Sequence, residues 1–318
     1  MDNLEKFCFG VDIGAGTIKF GLFTDKGTLK DRWEIKTRTQ DSGAYILDDI
    51  ADSIKEKIRQ EGLMWQQIVG VGVGVPGPVR RNGIVLQCVN LGWKDVDVVS
   101  VLSNKLKLPV KVANDANTAA LGEMWRGGAQ GYKTVVLIEL GTAIGGAIIW
   151  NGQIVFGHNG AAGEFGHMPL LHDETKPCAC GKVGCLEQGA SATGVARYAK
   201  QLLRENMDTP SAMRKIVPLT SKGVFECYAK GDELATKAVE RCTDAVGHAM
   251  AHIGCIIDPQ IFLISGGMAN AGDLLIDRIR EVYQQEVYSA AKDTIIARAK
   301  LGDNAGIYGA ARMMLIDI

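Results

Sequence analysis

The sequence predicts an α/β protein built from two related lobes. A strand, a Gly- and Thr-bearing turn and a second strand occur at 7–23 and again at 135–150, and apolar strand runs alternate with stretches of helical periodicity. No low-complexity segment or long linker interrupts the chain. With 318 residues, 47% of them hydrophobic and 22% charged, it is long enough for one large or two ordinary domains, each with its own core.

Residues 7–11 are a short apolar run entering Asp12-Ile13-Gly14-Ala15-Gly16-Thr17, and 18–23 resume a strand pattern before the turn at Asp25-Lys26-Gly27, which predicts a hairpin with a glycine-rich tip. Ile46, Leu47, Ile50, Ile54 and Ile58 stand at helical spacing within 43–61, with Gly62 as a stop. Residues 68–75 read as a continuous apolar strand ending in Pro76-Gly77-Pro78, and 110–113 as a shorter one leading into Asn114-Asp115-Ala116-Asn117. The second device follows, with strand 135–140, the turn Gly141-Thr142-Ala143-Ile144-Gly145-Gly146 and returning strand 147–150. Residues 191–206 and 232–257 read as helices, 260–264 as a buried strand ending at Ser265-Gly266-Gly267-Met268, and 305–317 as a closing helix. The repeated device suggests that each lobe offers a loop to a shared ligand, with phosphates the obvious candidates.

Formal net charge is −1, so no electrostatic footprint argues for nucleic acid or an anionic membrane surface as a partner. The start at 1–6 has neither a basic nor an apolar signal region, and no apolar run approaches the ~18 residues of a membrane span, which predicts a cytoplasmic protein. Cys8, Cys88, Cys227, Cys242 and Cys255 are scattered singly in apolar surroundings, as reduced core residues would be, and no disulfides are expected.

The most informative stretch is 163–187. His167, Cys178, Cys180 and Cys185 supply one imidazole and three thiolates, the closed tetrahedral set of a structural Zn²⁺ that holds shape and leaves no position open for catalysis. A redox pair with a spare thiol, or a disulfide framework, is the competing reading. Cys-x-Cys is too short for the thioredoxin-type pair, and Gly181 and Gly184 permit the tight turn of a metal loop. Glu164 and Glu187 flank the ligands, close enough to be positioned by the metal for a polar ligand. His158 and His172 also flank the loop, but only His167 has the Glu-x-x-His context.

Elsewhere, Asp12 with Gly14, Gly16 and Thr17 lies where a strand turns sharply, so backbone amides can face an anion while the carboxylate reaches a metal or its waters; a plain hairpin turn is the alternative. Gly72-Val73-Gly74-Val75-Pro76-Gly77 fits G-x-G-x-x-G but does not read as a dinucleotide site, because such a fingerprint opens a helix and the prolines bias this chain to extended backbone. Asp115 fits either a helix N-cap or a ligand or general base at the carboxyl end of a strand. His248 and His252, four apart on a helix, lack a third ligand and read as polar helix positions.

Together these motifs resemble the ROK family (repressors, open reading frames, kinases), and within it the bacterial glucokinases. The residues that carry the resemblance are 12–19, 74–78, Asn114-Asp115-Ala116-Asn117, 140–147, 163–167, 178–187, Ser265-Gly266-Gly267-Met268 and 301–311, nearly the whole chain. It implies a two-lobed actin-like (ribonuclease-H-like) ATPase fold with the sugar in an interdomain cleft and ATP beside it. The lobes are expected at 1–116 with 303–318 returning to it, and at 117–302. By the same likeness Asp115 would be the catalytic base, and Gly77, Asn114, Glu164, His167 and Glu187 would join it around the sugar, His167 using one ring nitrogen for sugar and the other for zinc. Asp12, Gly14, Thr17 and Lys19, Gly141, Thr142 and Gly145, and Gly266, Gly267 and Met268 would serve ATP, with Mg²⁺ held near Asp12 through water.

Family repressors carry a DNA-binding helix-turn-helix ahead of the position of Asp12, where eleven residues stand here, so the resemblance favours a kinase. The chain departs from the family in both phosphate loops. The usual Asp-x-Gly-Gly-Thr has Ala15 and Gly16 in its Gly-Thr positions, and Ala143 and Ala147 replace glycines of Gly-Thr-Gly-x-Gly-Gly-Gly. An added methyl where a turn needs φ > 0 would weaken nucleotide binding. The expected function is phosphorylation of the 6-hydroxyl of glucose by ATP, at the head of glycolysis, in a homodimer. Fructose, mannose, allose, N-acetylmannosamine and N-acetylglucosamine are alternative substrates, and a non-catalytic sugar sensor is the alternative class.

Overall fold

The computed structural model describes residues 5–316; the chain start at 1–4 and the predicted end of the closing helix at 317 lie outside them, and within them that helix ends at Met313. In chain order the elements are β1 (Phe7–Ile13), β2 (Thr17–Thr24), β3 (Leu29–Lys36), the short turn α1 (Gln40–Gly43), α2 (Ile46–Gln60), β4 (Ile68–Val75), β5 (Ile84–Cys88), β6 (Trp93–Asp97), α3 (Val98–Leu106), β7 (Val110–Asn114) and α4 (Asp115–Arg126). There follow β8 (Val135–Leu140), β9 (Ile144–Trp150), β10 (Gln153–Ile154), α5 (Glu187–Ala190), α6 (Ala192–Glu205), α7 (Ser221–Tyr228), α8 (Glu233–Ile257), β11 (Ile261–Ser265), α9 (Asp273–Glu286), β12 (Ile295–Arg298) and α10 (Ala305–Met313). Two compact units result, one of Met1–Lys133, Ala147–Ala162 and Lys300–Ile318, the other of Thr134–Gly146 and Gly163–Ala299.

The first unit is organised by a sheet of order β3-β2-β1-β4-β7. The predicted hairpin forms: β1 and β2 pair antiparallel with Asp12 opposite Lys19, and β4 and β7 run parallel to β1. Side chains on β1 alternate between faces. Phe7, Phe9, Val11 and Ile13 share a core with the apolar stripes of α2 and α3, whereas Cys8 packs with Ile307 and Ala311 of α10. Asp12 therefore shares the face of Cys8, the one that α10 covers. Here α10 lies backbone to backbone on the sheet: a Cβ on Gly10 would come within 2.0 Å of Ile307 O, and one on Gly72 within 1.7 Å of Ala310 O.

The observed units differ from the expected boundaries. The expected break at 116 falls in the first turn of α4, and α4 packs against α10, with a Gly122 Cβ position 2.2 Å from Ala305 O. The chain returns at Lys300 rather than 303, where the buried Glu123 carboxylate accepts the amides of Lys300 and Leu301 and also that of Gly128.

In the second unit β8, β11 and β12 are parallel neighbours. The sheet order is β10-β9-β8-β11-β12, and β9 carries the chain out of the unit. The 25-residue α8 is its spine, packed by α6, α7 and α9. Cys8, Cys88, Cys227 and Cys242 are buried free thiols as predicted, but Cys255 is exposed on α8, one position outside its buried stripe. No described helix is long and apolar enough to cross a membrane.

Candidate active site

In the first unit the site is built where β1 turns. Gly14 N donates to Thr17 O at 2.9 Å and Thr37 Oγ1 donates to Gly14 O at 2.7 Å, so the Gly14 amide closes the turn and a phosphate here would meet other groups. Asp12 stands at the base of this turn. Burial pushes its carboxyl up to about 6, the charge of Asp115 adds to the rise, Lys19 pulls against it, and Asp303 adds a further push. A Cβ on Gly306 would sit 2.7 Å from the Asp12 carboxyl carbon, so only glycine there leaves the carboxylate its place. Asp303 and Gly306 lie inside the 301–311 motif, but neither carries a local signal of its own; their role depends on α10 returning to β1. Lys19 Nζ donates to Asp303 O at 3.4 Å.

The strand β7 delivers Asn114 and Asp115 to the start of α4. The cap is Asn114, not Asp115: Asn114 Oδ1 accepts from Ala116 N at 2.9 Å and Asn117 N at 3.3 Å. Asn114 Nδ2 donates to Gly77 O at 3.0 Å, which ties the loop after β4 to the helix start. Asp115 is the first helical residue and accepts from Ala116 N at 2.9 Å. No helix opens at Gly77, in agreement with the reading of 72–77; Gly77 has φ +91° and its Cβ position is 2.3 Å from Gln87 O, so a side chain is excluded.

The second unit gathers several predicted residues. The β8–β9 turn is closed by Gly141 N donating to Ala143 O at 3.0 Å, and α6 begins beside it: Ala192 N donates to Gly141 O at 2.8 Å and Thr193 Oγ1 to Thr142 O at 2.9 Å. The positive end of the 14-residue α6, capped by Ser191, thus lies next to the loop expected to hold phosphate. Neither Ala15, Ala143, Ala147 nor Gly16 has a positive φ, so the departures from the family loops put no methyl into left-handed backbone. Gly145 lies in β9. The turn 163–167, with Glu164 at its start, packs on β9, since a Cβ on Gly146 would meet Phe165 and Gly163 O at 2.3 and 2.5 Å. Gly266, at φ +82°, leads into Gly267 and Met268, which line a cavity of about 440 Å³ with Phe225, Ala229 and Leu274.

His167, Cys178, Cys180 and Cys185 converge, each offering a ligand atom within 4.8 Å of the others. Cys180 Sγ and Cys185 Sγ are 3.5 Å apart, and Cys178 Sγ is 3.8 Å from His167 Nδ1. Tetrahedral Zn²⁺ with bonds of ~2.0 to 2.3 Å needs ligand separations of ~3.5 to 3.8 Å, so the donor set fits the ion. Glu187 Oε1 accepts from Cys178 Sγ at 2.8 Å and lies 3.8 Å from His167 Nδ1. Burial pushes the Cys178 and Cys185 thiols up, whereas the Lys182 amide helps pull the exposed Cys180 down. Neither His158 nor His172 joins the group, and His248 and His252 form none among the described residues.

Two α/β units, each with a glycine-bearing hairpin turn, an Asn-Asp helix start in one and a Cys₃His loop in the other, define a protein of the sugar-kinase class with the actin-like ATPase fold. The profile described as ROK family matches residues 8–316. The chain belongs to the ROK family. It is 39% identical to a glucokinase of Halalkalibacterium halodurans over 309 residues, covering 96% of this chain and 94% of the relative. An N-acetyl-D-glucosamine kinase of Escherichia coli O6:H1 is 30% identical over 320 residues, covering 97% and 99%. The crystal structure of a ROK family glucokinase from Streptomyces griseus in complex with glucose and AMPPNP matches with a TM-score of 0.75 and 30% identity, covering 96% of this chain and 98% of that one.

Proposed function

We propose that this chain is an ATP-dependent sugar kinase whose preferred substrate is glucose, phosphorylated on its 6-hydroxyl. The observation that carries the reading is the end-to-end 39% identity to a glucokinase.

Asp115 takes the hydroxyl proton as the sugar oxygen bonds to the γ-phosphorus and the bond to the β-phosphate oxygen breaks, releasing ADP. Asn114 caps α4 beneath it and holds the Gly77 loop, so both serve to orient that carboxylate. Glu164, His167 and Glu187 hold sugar hydroxyls, His167 with Nε2 while Nδ1 faces the zinc donors. The loop around Thr142 and the start of α6 take the phosphates, Thr17 and Lys19 stand at the first loop, and the cavity at Gly267 and Met268 takes the adenosine. Mg²⁺, when bound, would supply positive charge to offset that of the phosphates; Asp12 is the residue that would hold it through water. Structural Zn²⁺ on the four donors shapes the sugar side, and a homodimer is the expected assembly.

A sensor that has lost phosphoryl transfer would rest on damaged phosphate loops, and the ordinary backbone at Ala15, Ala143 and Ala147 speaks against that. The test is a coupled ADP-release assay over glucose, mannose, fructose, allose, N-acetylglucosamine and N-acetylmannosamine, read as kcat/KM. Highest kcat/KM with glucose is expected. A higher value with another sugar reassigns the substrate, and no turnover with any refutes the kinase.

A further inference from the structure

The zinc loop is held by more than its four donors. Gln188, the residue after Glu187, accepts from Gly184 N and Cys185 N, both at 3.0 Å, through one carboxamide oxygen. Its Nε2 donates to Lys176 O at 2.7 Å. One side chain thus bridges the two ends of the ligand loop, two residues before Cys178 and at Cys185 itself. Lys176 is gripped from the other side as well, since its amide donates to Glu174 Oε1 at 3.1 Å. Glu174 is ion-paired with Arg197 of α6, whose Nη2 donates to Gln188 O at 2.9 Å. The loop between Cys178 and Cys185 is largely exposed and contains two glycines at positive φ, Gly181 and Gly184, so it has little packing to order it.

We propose that Gln188 is a positioning residue: through its carboxamide it closes the ligand loop ahead of the metal and fixes Glu187 against the sugar, with Arg197 and Glu174 anchoring it to α6. This rests on the roles proposed above for zinc and Glu187. The physical basis is that a loop whose ends are already joined loses less freedom when the ion binds, and outer partners of a metal site typically change affinity or activity ~10- to 100-fold.

The test uses the full-length zinc protein. Zinc content and hexokinase activity of the unsubstituted protein are measured first; well under one zinc per chain, or no sugar turnover, is a failure of the underlying reading and not of this one. In Gln188→Ala, zinc transfer to the chromogenic chelator 4-(2-pyridylazo)resorcinol should be at least ~10-fold faster, and the hexose KM should rise about 10-fold, while kcat and the ATP KM stay within about 2-fold. Gln188→Glu keeps the oxygen that accepts from Gly184 and Cys185 but sets a carboxylate oxygen against Lys176 O in place of the donor, so it too opens the bridge, and its zinc release and hexose KM should rise toward those of Gln188→Ala. Unchanged zinc release and hexose KM in Gln188→Ala overturn the proposal. So does a loss confined to kcat or to both KM values equally, which is the mark of general destabilisation. Should Gln188→Ala not fold, Gln188→Glu alone decides, and unchanged zinc release and hexose KM in it overturn the proposal.

Discussion

Replacing Asp12 by Asn should make the protein more stable and nearly inactive. The folded-state pKa of Asp12 is raised from 3.8 to about 6, chiefly by burial and then by Asp115. A raised carboxyl binds its proton more tightly folded than unfolded, so between those two values the native state holds the extra proton and stability falls as pH rises. Above about pH 6 the ionised carboxylate carries its full cost, which for that interval is ~3 kcal/mol at ~1.36 kcal/mol per pH unit. Asn keeps the shape without the charge. Near pH 7.5 the metal-free Asp12→Asn protein should therefore gain ~2 to 3 kcal/mol, a rise in Tm of ~4 °C for a chain of this length. The gain should shrink as pH falls through 6 and vanish near pH 4, where the unsubstituted protein is itself neutral at this position. Thermal melts across that range, without and with millimolar Mg²⁺ and ATP, are the assay; the ligands should stabilise the Asp form far more than the Asn form. A variant that melts lower than the parent at about pH 7.5, or whose gain does not change with pH, refutes the electrostatic account of this site. The residue would then be a structural acid and not one kept under strain for function.

Other changes have separate readouts. Asp115→Asn should lower kcat by ~10² to 10⁴ with little change in sugar binding, because the cap belongs to Asn114 and survives; near-normal turnover rules out the base. Cys180→Ser should lose zinc, lower Tm and raise the sugar KM, whereas well under one zinc per chain in the fully active parent removes the metal from the account. Ala143→Gly should change ATP affinity less than ~5-fold by calorimetric titration, since no positive φ is strained there; recovery of more than ~1 kcal/mol of binding would mean that the methyl obstructs the nucleotide. Glu123→Gln turns an amide toward the Gly128, Lys300 and Leu301 amides that the carboxylate accepts, and should cost at least ~2 kcal/mol in denaturant melts. A loss under ~0.5 kcal/mol would show that water replaces those bonds.

The sequence by itself determined the elements whose signal is local. The hairpin at Asp12, the α2 stripe, the strand at 68–75 and the long α8 follow from periodicity and turn chemistry, and the Cys₃His set from ligand type and spacing. The repeated hairpin and the motifs named the family, and the prolines correctly removed 72–77 from the dinucleotide sites. Tertiary structure decided whatever depends on segments far apart in the chain. Spacing cannot say that α10 returns to β1 and seats Gly306 under the Asp12 carboxylate, nor that Asp303 joins its field, because electrostatic coupling follows distance in space. The same holds for the boundary: Glu123 reaches Lys300, where the chain rejoins the first unit, only once α4 and α10 are packed. Asn114, and not Asp115, is the cap because β7 keeps its backbone extended while Asp115 is already helical. Gln188 gave no signal at all, since a carboxamide is informative only when the amides and carbonyl it joins, at 184, 185 and 176, have been folded around it.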